Sequence, residues 1–337
     1  MDEPPRATLA AHSGFHSVHA DVSPRLKFDW HNLFHEVLHA GPCKQYTDKF
    51  ARAVNQFLQF YDQAGTRIGA FHLNFCVGRD YSKDIDQWIT SAIKMGAESI
   101  TLHLDCGRAC YRVYFHYHKE EIYVFRPELL SFNLKQLELG NCCLGPNCFS
   151  KFSNLGTLKL VEVPLGLSEM QTIFSCCLSL FDLSLEKCTL SLNLRILGSL
   201  PRLRSLKICE CNGVNQIELS AMNLVRFEHS SYFLVKHSFL GVGVPKLEEA
   251  YFTVGPDGDV QDIFHLAEDL PNLRVLYVLN NGDSVCIPKS IAIFSKVEML
   301  ELNFPLEIKF GFLEMIAILR AFPLLQKFYL AVSDVLF

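Results

Sequence analysis

The chain has 337 residues, 49% of them apolar, 20% charged and 12% aromatic, with a formal charge of -5. So apolar a composition builds a large packed core and excludes a chain that is disordered throughout. With 31 Lys and Arg against 36 Asp and Glu, and no run of like charge, there is no footprint for gripping a phosphate backbone, so nucleic acid is not an expected partner.

The first segment, residues 1–22, is MDEPPRATLAAHSGFHSVHADV. Acidic residues, two prolines and the lack of an apolar stretch exclude a secretory signal, and a disordered tail is expected. A helical connector is expected over residues 23–67. Within it stands His35-Glu36-Val37-Leu38-His39, the H-E-x-x-H spacing that sets two zinc ligands and a general base on one helical turn. Gly41 and Pro42 end any helix there at once, and no third ligand stands at metzincin spacing. The preferred reading is an amphipathic connector that packs Leu33, Phe34, Val37 and Leu38; a zinc hydrolase using His35, Glu36 and His39 is the alternative.

From residue 68 to the end a period emerges, and it decides the fold. Leu-x-x-Leu-x-Leu is carried by Leu134, Leu137 and Leu139; Leu155, Leu158 and Leu160; Leu180, Leu183 and Leu185; and Leu203, Leu206 and Ile208. Substituted copies follow at Leu224, Phe227 and His229; Leu247, Ala250 and Phe252; Leu273, Leu276 and Val278; Val297, Leu300 and Leu302; and Leu325, Phe328 and Leu330. Their starts lie 21, 25, 23, 21, 23, 26, 24 and 28 residues apart, and two looser copies precede them at Ile68, Phe71 and Leu73 and at Ala97, Ile100 and Leu102. Each unit is a short strand with a helical or irregular return, too small to bury its own apolar face, so neighbours must stack. The expected fold is an α/β leucine-rich-repeat solenoid with one parallel sheet on its concave side and the returns outside.

Local signals agree. Three residues past the last apolar position stand Cys76, Cys142, Cys188, Cys211 and Asn281, small side chains able to bond a turning backbone. Asp259 and Ser168 are expected helix N-caps, before Val260, Ile263, Phe264 and Ala267 in one case and Met170, Ile173 and Phe174 in the other. Pro201, Pro245, Pro271 and Pro323 each precede a repeat's first apolar position by two residues and so end the returns. The most apolar window, Phe310 to Leu325, contains Glu314, Arg320 and Pro323 and cannot fill the ~20 apolar positions of a membrane helix. An odd count of 13 cysteines without an Asn-x-Ser/Thr acceptor points to reduced thiols in a cytoplasmic or nuclear setting.

The ordered landmarks resemble one family, the plant F-box proteins with leucine-rich repeats and a C-terminal FBD region. SPRLKFD (Ser23 to Asp29) resembles their post-F-box segment, and DIDQWITSAIKMGAESITLHL (Asp84 to Leu104) their first helix-strand unit. YVFRPELL, SNLGTLKLVEV, CLSLFDLSLEKC and PRLRSLKICEC resemble later landmarks, and the likeness runs from about Ser23 to Phe337. It implies the substrate-binding half of a cullin-type ubiquitin-ligase receptor. Residues 1–22 do not resemble an F-box, so adaptor binding is expected only if an F-box lies outside this chain, and the FBD-like region looks incomplete.

No pair of C-x-x-C knuckles forms among the cysteines, Gly241-x-Gly243 runs into Val244 and Pro245 without a strand-to-helix turn, and neither metal nor cofactor is expected. Binding residues come from strand alternation, which turns the positions flanking the second leucine away from the core. Glu138, Lys159, Lys207 and Glu228 form opposed charges in the earlier repeats, whereas Tyr251, Val275, Tyr277, Leu279, Met299 and Tyr329 make the later ones apolar and aromatic. That patch is the candidate partner site; high strand propensity, or cover by further C-terminal structure, also accounts for it. The sequence thus reads as a non-enzymatic protein-recognition scaffold for an unnamed target, with a zinc hydrolase or a fragment lacking a competent site as rivals.

Overall fold

The computed structural model describes residues 23–34, 44–105, 122–130, 133–146, 149, 152–255, 260–282, 291–305 and 312–333. Residues 1–22, His35, Glu36, His39 and the expected cap Asp259 lie outside them. The chain forms two compact units, Met1–Leu155 with Val161–Val163, and Gly156–Leu160 with Pro164–Phe337.

In the first unit, β1 (Arg25–Asp29), β2 (Ala70–Asn74), β3 (Ser99–His103) and β5 (Gln136–Gly140) pair in that order, all parallel. Strands β4 (Val124–Phe125) and β6 (Cys143–Leu144) form a small parallel pair of their own. The register is the repeat itself: Phe71, Ile100 and Leu137 align, as do Leu73, Leu102 and Leu139. All six are buried, each contributing ~1.5–3 kcal/mol relative to exposure.

The segment expected as a helical connector opens instead with strand β1, so the sheet starts at Arg25 rather than near Ile68. The reason is period-two burial: Leu26 and Phe28 point inward, Phe28 packing on Phe71 and on Phe57, while Arg25 and Lys27 point out. Helices α1 (Trp30–Phe34) and α2 (Lys44–Gln63) follow. Phe50 of α2 stacks on Phe75 at 4.3 Å. Helix α3 (Ser82–Lys94) lays Ile85, Trp88 and Ile89 on the core, with Trp88 Nε1 donating to Asn55 Oδ1 at 2.5 Å. Buried Asp86 accepts from the Tyr123 hydroxyl at 2.7 Å and pairs with Arg126, so its charge is compensated.

In the second unit, β7 (Thr157–Val161), β8 (Asp182–Glu186), β10 (Ser205–Cys209), β12 (Arg226–Ser231), β14 (Glu249–Val254), β15 (Val275–Asn280), β16 (Met299–Pro305) and β17 (Lys327–Ser333) follow one another in an open parallel sheet. Leu183, Leu206, Phe227, Ala250, Leu276, Leu300 and Phe328 stand in one row across it. Some returns are helical, Leu167–Cys176, Val260–Phe264 and Phe312–Ala321. Others are not: β9 (Asn193–Leu197), β11 (Gln216–Ser220) and β13 (Lys236–Phe239) form a second parallel sheet of order β13-β11-β9 where helices or irregular chain were expected. Leu194, Ile196, Ile217 and Leu219 alternate inward there and satisfy the period-two rule.

After successive strands the chain turns through one left-handed residue, Asn141 (φ 58), Glu162 (φ 53), Lys187 (φ 52) and Glu210 (φ 52), each followed by a buried Cys142, Val163, Cys188 or Cys211. The Cys188 thiol donates to the Leu160 carbonyl at 3.4 Å and the Cys211 thiol to the Leu185 carbonyl at 3.3 Å, tying each turn to the preceding strand. Two local expectations are corrected. Asn280, not Asn281, takes the buried place and accepts from the Gly282 N–H at 2.5 Å, because β15 runs a residue further in period two. Ser168 lies inside its helix and bonds Glu169; Gly166, in extended conformation, is the N-cap. One strand per repeat, stacked parallel in chain order with returns outside, is the α/β leucine-rich-repeat solenoid architecture.

Candidate binding face

Pleating presents one row of side chains to the core and the next to the open side of the sheet. On β14 to β17 the open rows are Glu249, Val275, Met299 and Lys327; Tyr251, Tyr277, Glu301 and Tyr329; and Thr253, Leu279, Asn303 and Ala331. The six candidate residues therefore all lie on this open face. Tyr251 and Tyr277 are side by side with ring centroids 6.0 Å apart, Val275 and Leu279 flank Tyr277 on its own strand, and Met299 is the neighbour of Val275. Tyr329 is set apart, beyond Glu301, and is the most open of them at 49% exposure. Tyr251, Tyr277, Val275, Leu279 and Met299 are half-buried rather than fully exposed, since each is shielded by neighbours across the sheet.

Arg226 was not among the residues singled out by pattern, yet it organises this patch. Its guanidinium lies 4.2 Å from the Tyr251 ring centroid and its Nη1 donates to Glu249 Oε2 at 3.0 Å, while the Tyr251 hydroxyl donates to the same carboxylate at 3.2 Å. Burial, with Glu249 adding to it against the pull of Arg226, holds the Tyr251 hydroxyl above its ordinary pKa. Burial and then Glu301 do the same for Tyr277. Both tyrosines stay neutral through the physiological range.

From Arg226 a ladder of alternating charge runs toward β7. Arg226 approaches Glu228 at 3.8 Å, Lys207 reaches Glu228 at 3.1 Å and Glu186 at 3.4 Å, and Lys159 reaches Glu186 at 3.6 Å. Burial works to lower the Lys207 pKa, but Glu228, Cys209 and Glu186 outweigh it and raise the value. Cations and carboxylates satisfy one another here, and partly exposed pairs of this kind contribute well under ~1 kcal/mol each. In the first unit, His103 Nε2 meets Glu138 Oε1 at 2.9 Å and stacks on His72. The lower lip of the aromatic strands is a polar groove, where Arg274 grips Glu298 through two contacts near 3.0 Å beside Glu248 and Lys327.

Behind the sheet, sequence reasoning missed a histidine pair. His229 Nδ1 and His237 Nε2 are 3.2 Å apart between β12 and β13, with the His237 ring edge-on to Phe227 and Phe252. Among the described residues no group of three or more His, Cys, Asp or Glu side chains is arranged to hold a metal ion, and no helix is long and apolar enough to cross a membrane.

A family model described as the At1g61320/AtMIF1 leucine-rich-repeat domain matches residues 59–336. No curated protein matches the chain. The matched range takes in every repeat from β2 to β17 and only the C-terminal end of α2. Its members are repeat domains of the kind that serves as a protein-interaction scaffold. The chain belongs to the At1g61320/AtMIF1 leucine-rich-repeat domain family.

Proposed function

We propose that this protein recognises a protein partner through the open face of β14 to β16. The observation that carries the reading is the Tyr251–Tyr277 pair at 6.0 Å, with Val275, Leu279 and Met299 around it and Arg226 braced beneath. Tyrosines offer large amphipathic area at small entropic cost, and a true hot spot is worth ~2 kcal/mol or more. The charge ladder from Lys159 to Arg226 is already internally compensated, so it supplies register and solubility rather than affinity.

The finer assignment is the substrate-binding half of an F-box ubiquitin-ligase receptor, acting in the cytoplasm or nucleus. It is supported by the ordered landmarks from Ser23 to Phe337 and by buried thiols such as Cys177, whose pKa burial raises to about 12, and Cys211. The test compares captured partners of the native protein with those of Tyr251→Ser/Tyr277→Ser, then measures direct binding of the partner that drops out. A Lys159→Gln/Glu186→Gln variant is the control. Loss of binding of at least about tenfold in the tyrosine variant alone supports the reading, at 1.4 kcal/mol per tenfold. Equal binding by both folded variants places the site elsewhere. A pull-down with the cullin adaptor tests the receptor assignment separately.

A further inference from the structure

On the open side of the second unit's sheet, glutamates are held by cations from their own or neighbouring strands. Glu186 takes Lys159 and Lys207, Glu228 takes Lys207 and Arg226, and Glu249 takes Arg226. Glu301, on the same face of β16, departs from this pattern: among the described residues it makes no ion pair. Its register neighbours are Tyr277 on β15 and Tyr329 on β17, and Met299 and Asn303 precede and follow it on the same side of its own strand. Lys327, the nearest cation by register, stands beside Met299 and is not paired with Glu301. A half-buried carboxylate among aromatic neighbours is thus left with solvent as its counterweight.

A filled version of the same arrangement stands on the preceding strands. The Arg226 guanidinium lies 4.2 Å from the Tyr251 ring centroid while its nitrogens reach Glu249 at 3.0 Å and Glu228 at 3.8 Å. A planar cation there stacks on a ring and gives its N–H groups to carboxylates at the ring's edge. Tyr277 and Glu301 present a ring and a carboxylate on adjacent strands in the same way, with the Tyr277 hydroxyl fixed by a hydrogen bond to the Asn303 side chain. The place that Arg226 holds relative to Tyr251 is held, relative to Tyr277, by Glu249, so this second ring has no cation from its own chain. Resting on the reading of β14 to β16 as a protein-binding face, we propose that its occupant is a linear polypeptide segment with an arginine between apolar residues, the guanidinium lying on Tyr277 and pairing with Glu301. Val275, Leu279 and Met299 around the ring meet the apolar neighbours of that arginine. Charge complementarity selects this segment over others. An acidic side chain would meet Glu301 and Glu249 with like charge, and a wholly apolar segment would strip water from Glu301 and give nothing in return.

A library of random linear peptides, selected on the full chain, tests this. The selected peptides should share an arginine flanked by apolar residues. A synthetic copy of the tightest one should bind at least about tenfold more weakly when its arginine is changed to glutamine, and equally so when the protein carries Glu301→Gln. The two changes together should cost no more than either alone, because they remove one and the same contact. Glu301→Arg should reverse the preference, so that the peptide with glutamate in place of its arginine becomes the tighter of the two. Glu301 is only half-buried and glutamine has its shape, so the variant should keep the native circular dichroism. Peptides that fail on Tyr251→Ser/Tyr277→Ser yet share no arginine, or are indifferent to Glu301→Gln, overturn the arginine assignment and leave the binding face standing. Peptides indifferent to the tyrosine variant as well overturn both. A library that yields no binder overturns the linear segment, and equal binding after an arginine-to-lysine change in the peptide overturns the stacked guanidinium.

Discussion

The buried histidine pair gives this solenoid a predictable acid sensitivity. His229 occupies the last leucine position of its repeat, 5% exposed, and His237 faces it from the second sheet at 3.2 Å. Burial pulls His237 down to about 4, and burial together with His237 pushes His229 well below its ordinary value. Part of His237 reaches the surface, but its ring is enclosed by Phe227, Phe252 and His229. In the unfolded chain both rings take a proton near pH 6.5; in the folded chain they resist it. Stability is therefore full above the unfolded pKa and is lost as pH falls from 6.5 toward 4. At 1.36 kcal/mol per unit, His237 alone makes the fold about 2 kcal/mol less stable at pH 4.5 than at pH 7. Urea unfolding at the two pH values measures the loss. His229→Leu restores the repeat's own residue and His237→Phe keeps a ring of similar size, so the double variant should fold and should lose about 2 kcal/mol less on acidification. An identical acid loss in both proteins would show that carboxylates elsewhere carry the effect.

Two further outcomes are expected. Gly213 (φ +87) would set a Cβ 2.5 Å from the Leu190 carbonyl oxygen, whereas Gly198 (φ +74) meets nothing within 4 Å. Gly198→Ala should then cost the left-handed strain alone, ~1 kcal/mol, and Gly213→Ala clearly more; equal shifts in the urea midpoint would refute the clash. Protein purified without chelator should contain well under one equivalent of zinc by elemental analysis, because in the sequence Gly41 and Pro42, both helix-breaking residues, follow His39 too closely for the helical turn that H-E-x-x-H requires. One equivalent, lost in His39→Ala, would restore the hydrolase reading.

Much of the fold was legible because a solenoid repeats its rule. Leu137, Leu158, Leu183, Leu206 and Leu276 fall in the inward row that the motif assigns them, and the alternation that buries them also placed Tyr251 and Tyr277 on the open face. Strand β1 was readable in principle, since Leu26 and Phe28 alternate, but five residues beside two helices carry little period. The second sheet hid for a different reason. Its strands are short, and β13 spends one inward position on His237, a residue that only makes sense once His229 is known to lie across from it. Arg226 was invisible because its role comes from a neighbour 25 residues away in sequence and one strand away in space.

The polar residues that depart from the leucine rule sort into two kinds, and the distinction bears on what the protein can bind. Cys188, Cys211 and Asn280 at the turns and His229 at a leucine position face inward, each satisfied by a backbone or side-chain partner, and they adjust turns and packing without reaching solvent. The outward row changes character along the chain, from the shared carboxylates Glu186 and Glu228 to Tyr251 and Tyr277. A partner docking on the charged strands would have to break pairs already made and would gain little net energy. On β14 and β15 it would remove half-covered tyrosine, valine and leucine surface from water and leave the Arg226–Glu249 brace intact. Apolar burial without loss of an existing ion pair favours that end of the face, and the brace fixes the Tyr251 ring before the partner arrives, lowering the entropy that binding must overcome.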